Sequence, residues 1–370
     1  MIDHESFIRQ TLKLARKGIG KTATNPLVGA ILVKIENGVA QIIAKGYHTA
    51  YGKPHAEVEA ILRAKKKGFT DLSNTILYVN LEPCCHHGKT PPCTDLIIRE
   101  KIPHVVFGTL DPFISVSGKG AAQLIAAGIK VEYGILENEC IELNKVFFKH
   151  VRTQSPWVTL KFAQSLDGKI ATASGDSKWI SSESSRRYVH QLRAEYDAVL
   201  VGAQTVIKDN PHLDVRLVKG RDPKRIIVDG RLRVPLTAIV FNEKNSSKTI
   251  VLTAKNSNRK KIDQLIKKGV HVYEFPAKKF KIDLKSALKK LLKEEKIASI
   301  LVEGGSVIHG ELLKNKLADD MIVFIAPKII GKGISPVTSE LTKTIGKAVQ
   351  LKSISVKPIE SDIVIQARII

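Results

Sequence analysis

The sequence predicts an α/β protein built from two units, and three observations carry that expectation. Short apolar runs of strand character alternate with segments of helical period along most of the chain. The chain has 370 residues, and single cores usually stop growing at about 250 residues. The polar stretch at residues 149–156 reads as a linker, after which the alternation restarts. The expected division is therefore residues 1–150 and 151–370.

In the first unit, residues 7–17 have helical period, and residues 28–33 and 41–44 read as strands. Residues 56–67 read as a helix, 75–80 as a strand, 93–100 as a helix and 105–108 as a strand. A helix at 121–127 and a strand at 130–133 complete the unit. In the second unit, the strand candidates are 157–162, 198–202, 225–229, 249–252, 299–303, 321–326 and 362–367. Helices are expected at 184–194 and 307–313. No internal repeat of fixed period is visible.

Hydrophobic residues make up 43% of the chain and charged residues 26%, a globular balance rather than a disordered or collagen-like one. No apolar run reaches the ~20 residues of a membrane-spanning helix. Acids come early in Met1-Ile2-Asp3-His4-Glu5, which has no apolar signal core, so a cytoplasmic location is expected. Four cysteines are too few for a disulfide framework.

Lys and Arg number 59 against 36 Asp and Glu, a net charge of +23. Such a balance is the usual footprint of nucleic-acid binding, but its location argues otherwise. Residues 1–150 carry only +5, whereas residues 244–296 carry 16 basic and 5 acidic groups. Paired lysines there (260/261, 267/268, 278/279, 289/290) are separated by apolar residues such as Ile262, Leu265, Leu288 and Leu291. That spacing reads as amphipathic helices with solvated lysine faces. The span's aromatics are few, Tyr273, Phe275 and Phe280, unlike a base-stacking platform. Neither nucleic acid nor membrane is expected as a partner.

The sharpest signal is Pro54-His55-Ala56-Glu57 followed by Glu82-Pro83-Cys84-Cys85-His86-His87-Gly88-Lys89-Thr90-Pro91-Pro92-Cys93. One imidazole with two thiolates leaves the fourth position of a zinc ion open, the catalytic rather than the structural arrangement. Helix N-termini would ease the ionisation of Cys84 and Cys93. Glu57 has the chemistry of a proton shuttle beside the metal. Cys85, His86 and His87 are rival ligands, and a closed site of Cys84, Cys85, Cys93 and a histidine is the minority alternative. Cys140, alone in a helix-like segment, reads as a packing residue.

His-x-Glu with a Pro-Cys start resembles the zinc deaminase signature, here with eight residues between Cys84 and Cys93. Together with Asn25-Pro26-Leu27-Val28-Gly29, Gly46-Tyr47-His48 and Gly52-Lys53, it resembles the bifunctional deaminase/reductase of riboflavin biosynthesis. The second half resembles that family's reductase at Lys161, Ser165-Leu166-Asp167-Gly168-Lys169, Ser174-Gly175, Trp179-Ile180, Leu192-Arg193, Asp209-Asn210-Pro211, Leu213, Arg216 and Glu303-Gly304-Gly305.

The resemblance spans about residues 5–333 and implies a cytidine-deaminase-like three-layer domain followed by a dihydrofolate-reductase-like α/β domain. It implies zinc-dependent hydrolysis of the 2-amino group of a phosphorylated diaminopyrimidinone, then reduction of its ribosyl chain by NADPH. It implies His55, Cys84 and Cys93 as zinc ligands and Glu57 as proton shuttle. Ala163, Trp179, Thr205 and Asp209 would face the NADP, with Gly305, Ser306, Val307, Ile308, His309, Gly310 and Glu311 around its phosphates. Ser177, Arg193, Leu213, Arg216 and Glu303 would face the substrate. A homo-oligomer formed through the reductase domain is expected. Two departures from the family pattern stand out: Cys85 replaces the usual Ser, and Asp111-Pro112-Phe113-Ile114 replaces Asp-Pro-Asn-Pro.

Without the resemblance, the second half says less. Glu303-Gly304-Gly305-Ser306 follows a strand and opens a helix, which suits a phosphate and equally an ordinary tight turn. No Gly-x-Gly-x-x-Gly fingerprint follows a strand, so a standard Rossmann site is not expected. Arg193 and Arg216 could fork onto a phosphate, or each could be a surface ion pair. Trp179 could anchor a core, and Asp167 could simply form a turn. The runner-up reading is a tRNA-editing deaminase with a basic binding domain; a third is a structural zinc module joined to a binding domain.

Overall fold

A computed structural model describes residues 2–86, 91–114, 116–242 and 246–370. The chain divides into two compact units, Met1–Gln154 and Ser155–Ile370.

The first unit runs α1 (His4–Ala15), β1 (Gly29–Glu36), β2 (Val39–Tyr47), α2 (Ala56–Lys66) and β3 (Thr75–Val79). It continues α3 (Cys93–Arg99), β4 (His104–Phe107), α4 (Lys119–Ala126), β5 (Lys130–Tyr133), α5 (Glu137–Leu143) and α6 (Lys145–Thr153). Its sheet has the order β2-β1-β3-β4-β5, with β1 antiparallel to both neighbours and β3, β4 and β5 parallel. Every residue of β3 is buried, because helices cover both faces and leave no solvated side to alternate with. Ala56, Ala60 and Ile61 of α2, Ile97 of α3 and Leu124 of α4 fill one core. Ile8 and Leu12 of α1 with Cys140 of α5 fill the other. The result is a three-layer α/β unit.

Two local features fix α2, the helix that opens at the His-x-Glu motif. Its alanines present little bulk to the sheet. At Gly46 of β2, a Cβ would stand 2.3 Å from the carbonyl oxygen of Ala56, so helix and strand meet backbone to backbone and only glycine fits.

The stretch read as a linker from residue 149 is instead helical through Thr153, as the last turns of α6. Its polar composition conceals an amphipathic segment. Phe147 and Phe148 pack with Leu81 and Val151, His150 Nε2 lies 2.8 Å from the carbonyl oxygen of Thr24, and the Arg152 guanidinium covers the Phe148 ring.

The second unit runs β6 (Trp157–Ser165), β7 (Ala171–Thr172), α7 (Glu183–Glu195), β8 (Ala198–Gly202), α8 (Ala203–Asp209) and β9 (Lys224–Val228). Then come β10 (Thr249–Ala254), α9 (Arg259–Lys267), β11 (His271–Phe275), β12 (Ala277–Lys278), β13 (Lys281–Ile282) and α10 (Leu284–Glu295). β14 (Ser299–Gly304), α11 (Ser306–Lys314), β15 (Asp320–Ala326), β16 (Gly333–Ile334), β17 (Leu351–Ile359) and β18 (Asp362–Ile369) close it. Nine strands form one sheet in the order β11-β10-β9-β8-β14-β6-β15-β18-β17. The strands from β11 to β15 are parallel, and β18 and β17 add an antiparallel margin. Separate apolar cores lie on its two faces.

The lysine-rich span is only partly helical. α9 and α10 have the expected amphipathic faces, with Ile262, Leu265, Leu288 and Leu291 buried. Lys278 and Lys279 instead lie on and beside the β12–β13 hairpin, and Tyr273 and Phe275 belong to β11. The start of the span, Lys244, falls outside the described residues.

Glu295 ties the end of α10 to the sheet. It accepts hydrogen bonds from Lys224 Nζ (2.6 Å), His271 Nδ1 (2.7 Å) and Tyr273 Oη (2.7 Å). Burial pushes the carboxyl up, but these three donors outweigh it and hold it at about 2. Because the folded value lies below the ordinary 4.5, its stabilisation is present above that pH and is lost as pH falls toward 2. Glu295→Gln is expected to cost about 1–2 kcal/mol in urea unfolding at neutral pH, with the difference from the parent shrinking below pH 4; an undiminished difference at pH 3 would contradict this.

Candidate active sites

In the first unit, three loops bring their donors to one point. His55 is the N-cap of α2, Cys93 is the first residue of α3, and Cys84 follows β3. His55 Nδ1 lies 3.5 Å from Cys84 Sγ and 3.3 Å from Cys93 Sγ, and the three ligand atoms all lie within 4.8 Å of one another. Tetrahedral zinc, with bonds of about 2.0 Å to nitrogen and about 2.3 Å to sulfur, requires N–S spacings of about 3.6 Å, so this donor set fits that ion.

Among the described residues this is the one such cluster. Neither Cys85 nor His86 belongs to it, and His87, Gly88, Lys89 and Thr90 lie outside the described residues. The backbone N–H of Cys93, at the opening of α3, donates to Cys84 Sγ at 3.4 Å. Hydrogen bonding from the Cys93 thiol and from His55 draws the Cys84 thiol down to about 4, favouring the thiolate a metal needs. Cys84 in turn pushes His55 up to about 9. Glu57 is 4% exposed; burial pushes its carboxyl up, against the pull of His55.

Other residues complete the surroundings. Asn25 Nδ2 lies 3.2 Å from His48 Nε2, and His48 Nδ1 lies 3.1 Å from the carbonyl oxygen of Pro54. Burial lowers the pKa of His48, so the ring is neutral; the partners assign the proton to Nδ1, with Nε2 accepting from Asn25. Asn80 and Asn144 hold the neighbouring chain through the carbonyl oxygen of Leu27. Glu82 accepts from the backbone N–H groups of Asp111, Gly118 and Ala121 at 3.0–3.1 Å, which sets the Asp111–Phe113 loop beside the Cys84 strand end. Phe113 is 41% exposed and meets Phe147 edge to face. The Asn25 and His48 motifs were visible in the sequence, but their meeting required the fold.

In the second unit, a cavity of about 1050 Å³ opens at the carboxyl ends of β9, β8, β14 and β6, the usual place for ligands in such sheets. Ala163, Trp179, Thr205 and Asp209 line it, as do Gly305, Ser306, Val307, Ile308, His309 and Glu311. Ser177, Arg193, Arg216 and Glu303 line it as well. Leu213 and Gly310 do not: Leu213 is 3% exposed in a core, and Gly310 faces Ser339 so closely that a Cβ would stand 2.3 Å from its hydroxyl. His309 is 1% exposed, with both ring nitrogens facing carbonyl oxygens.

Arg193 is engaged within the protein. Its fork donates to both oxygens of Glu303 (2.6 and 2.9 Å) and to the carbonyl oxygen of Asp214. Lys161 lines the cavity beside this pair; burial lowers its pKa against the pull of Glu303. Burial, with Arg193 and Arg216 nearby, brings His190 down to about 4, and its Nδ1 accepts from the Arg216 N–H. Arg216 pairs with Asp214. Trp179 is 62% exposed under the Arg186 guanidinium, so it anchors no core. Asp167 fastens a turn, accepting from Ser165, Ile330 and Gly331.

Comparison with known proteins finds relatives for both units. Residues 1–109 match the cytidine and deoxycytidylate deaminase zinc-binding region, and residues 156–365 match the RibD C-terminal domain. The riboflavin biosynthesis protein RibD of Aquifex aeolicus is 48% identical over 90% of this chain and 89% of its own length. That of Actinobacillus pleuropneumoniae is 42% identical over 97% and 93%. A solved diaminohydroxyphosphoribosylaminopyrimidine deaminase/5-amino-6-(5-phosphoribosylamino)uracil reductase from Thermotoga maritima superposes with a TM-score of 0.85 at 40% identity, covering 99% of each chain. Acinetobacter baumannii RibD gives 0.86 at 34% identity, again over 99% of each. The chain belongs to the RibD family of riboflavin biosynthesis, bifunctional enzymes that join a zinc-binding deaminase to a reductase.

Proposed function

We propose that the chain catalyses two consecutive reactions. The first is hydrolytic deamination of 2,5-diamino-6-ribosylamino-4(3H)-pyrimidinone 5′-phosphate, on residues 1–150. The second is NADPH-dependent reduction of the ribosyl chain, on residues 151–370, giving 5-amino-6-ribitylaminouracil 5′-phosphate. The observation that carries this reading is the convergence of His55, Cys84 and Cys93 beside the buried carboxyl of Glu57.

His55, Cys84 and Cys93 would hold zinc, which when bound lowers the pKa of a coordinated water to about 7. Glu57 accepts a proton from the attacking water and delivers one to the departing amine. A C–O bond forms, the C–N bond breaks and ammonia leaves. Its burial suits both steps, since a raised carboxyl pKa approaches the operating pH. The neutral, buried His48, held by Asn25 and the Pro54 carbonyl, lies beside the His55 ring and supports its position.

In the second unit, the cofactor supplies the hydride, and the protein supplies position and charge. Ala163, Trp179, Thr205, Asp209, Gly305 and the exposed side of the first turns of α11 face NADPH, with Gly310 packed away from it on Ser339. Ser177, Arg216 and the Arg193–Glu303 pair face the substrate, with Leu213 acting through the core beneath. The free margin of the nine-stranded sheet supports assembly of a cytoplasmic homo-oligomer through this unit: Ile354 and Val356 of β17 are 61% and 60% exposed.

Glu57→Gln is expected to lower ammonia release by about 10²–10⁴-fold while NADPH oxidation on pre-deaminated substrate is unchanged; loss of both in a folded variant would contradict separate sites. Zinc uptake should release protons, because His55 and Cys93 hold theirs above neutrality. Zinc affinity therefore falls as pH drops, and an affinity independent of pH between 5 and 8 would count against this ligand set. Cys84→Ser is expected to lose bound zinc by metal analysis, whereas Cys85→Ser should retain a full equivalent.

A further inference from the structure

The reductase cavity ends in a group of cations that the reaction just described leaves without a task. At the carboxyl end of β9, the turn at residues 229–233 brings Arg231 and Arg233 to the cavity. The β12–β13 hairpin brings Lys279 and Phe280 to the same end.

The hairpin sits directly on the turn. A Cβ at Gly230 would stand 1.9 Å from the carbonyl oxygen of Phe280, and the Arg231 guanidinium lies over the Phe280 ring, 5.4 Å from its centroid. On the other side, Lys281 pairs with Glu311 of α11 at 2.5 Å, so the hairpin is fastened to both walls of the cavity. That pair neutralises Lys281. Among the described residues, Arg231, Arg233 and Lys279 have no acidic partner. The one carboxylate in the turn, Asp229, is 2% exposed, and its Oδ2 accepts from the Val234 N–H at 2.7 Å.

The strand order supplies a scale. α11 opens at Gly305, directly after β14, and β14 lies two strands from β9, about 10 Å at the usual spacing. On its other side β14 borders β6, which carries Lys161 and Ala163. A dinucleotide with its diphosphate at the opening of α11 and its reacting ring over β6 places its adenosine over β9. A phosphomonoester there meets a guanidinium fork and an ammonium, the groups that bind phosphate most strongly.

We propose that Arg231, supported by Lys279 and Phe280, forms the subsite for the 2′-phosphate of NADPH and so selects this cofactor over NADH. The inference rests on the reading that this cavity holds NADPH. The substrate's 5′-phosphate has the same chemistry, but Arg193 and Glu303 pair across α7 and β14, and Arg216 is tied to α7 through His190.

The test is equilibrium binding of NADPH, NADH and the deaminated pyrimidine phosphate to the full chain, followed by fluorescence and calorimetry. Arg231→Ala is expected to weaken NADPH by about tenfold or more and to leave NADH and the pyrimidine phosphate unchanged. Lys279→Ala should act in the same direction with a smaller effect. Adenosine 2′-phosphate should compete with NADPH on the parent protein and fail to do so on Arg231→Ala. Equal weakening of NADPH and NADH, no change in either, or selective loss of the pyrimidine phosphate would overturn the assignment. Unchanged NADH binding certifies a folded variant. If the parent protein binds no NADPH, the underlying reading fails instead.

Discussion

Two helices of the first unit begin at the same thiolate. The N–H that opens α3 points at Cys84 Sγ, and the N-cap of α2 sets His55 against it from the other side. Helix N-termini favour negative charge, so the backbone itself favours Cys84 as the anion a metal takes. The rest of the unit keeps this meeting in place. Gly46 lets α2 lie flat on β2, β3 delivers Cys84, and Glu82 fastens the Asp111 loop behind it. Glu57, in the first turn of α2, is thereby held beside His55 and Cys93.

The second unit solves a different problem, which is to hold charge where water is excluded. The Arg193 and Glu303 side chains are only 11% and 7% exposed, a costly arrangement unless every donor finds a partner. Here the fork is filled by Glu303 and the Asp214 carbonyl. Lys161 shares the same field, and His190 stays neutral under it. The polar end of the cavity is thus fixed before any ligand arrives, the preorganisation that hydride transfer asks of a protein.

Much of this was legible in the sequence, and the failures have physical causes. The zinc donors could be read because a metal imposes its ligand chemistry on neighbouring residues in the chain. The alternation of strands and helices could be read because parallel sheets need apolar runs on both faces. Residues 149–153 misled because they are the polar end of a helix whose buried phenylalanines, Phe147 and Phe148, come just before them. Lys278 and Lys279 misled because paired lysines look alike on a helix and on a hairpin. Arg193 stayed open between a phosphate fork and an ion pair because its partner, Glu303, lies 110 residues away. No local pattern reports so distant a pairing, and the same holds for Asn25 with His48 and Arg231 with Phe280. The net charge of +23 raised a nucleic-acid partner, but its location away from the zinc motif argued otherwise, and the relatives are riboflavin-biosynthesis enzymes.

The central claim is a three-donor metal centre with one position left for chemistry. X-ray absorption at the zinc edge of the purified protein tests it directly. Two sulfur neighbours at about 2.3 Å are expected, with one nitrogen and one further light atom at about 2.0 Å. A shell of three sulfurs would mean that Cys85 completes a closed structural site, and would contradict it.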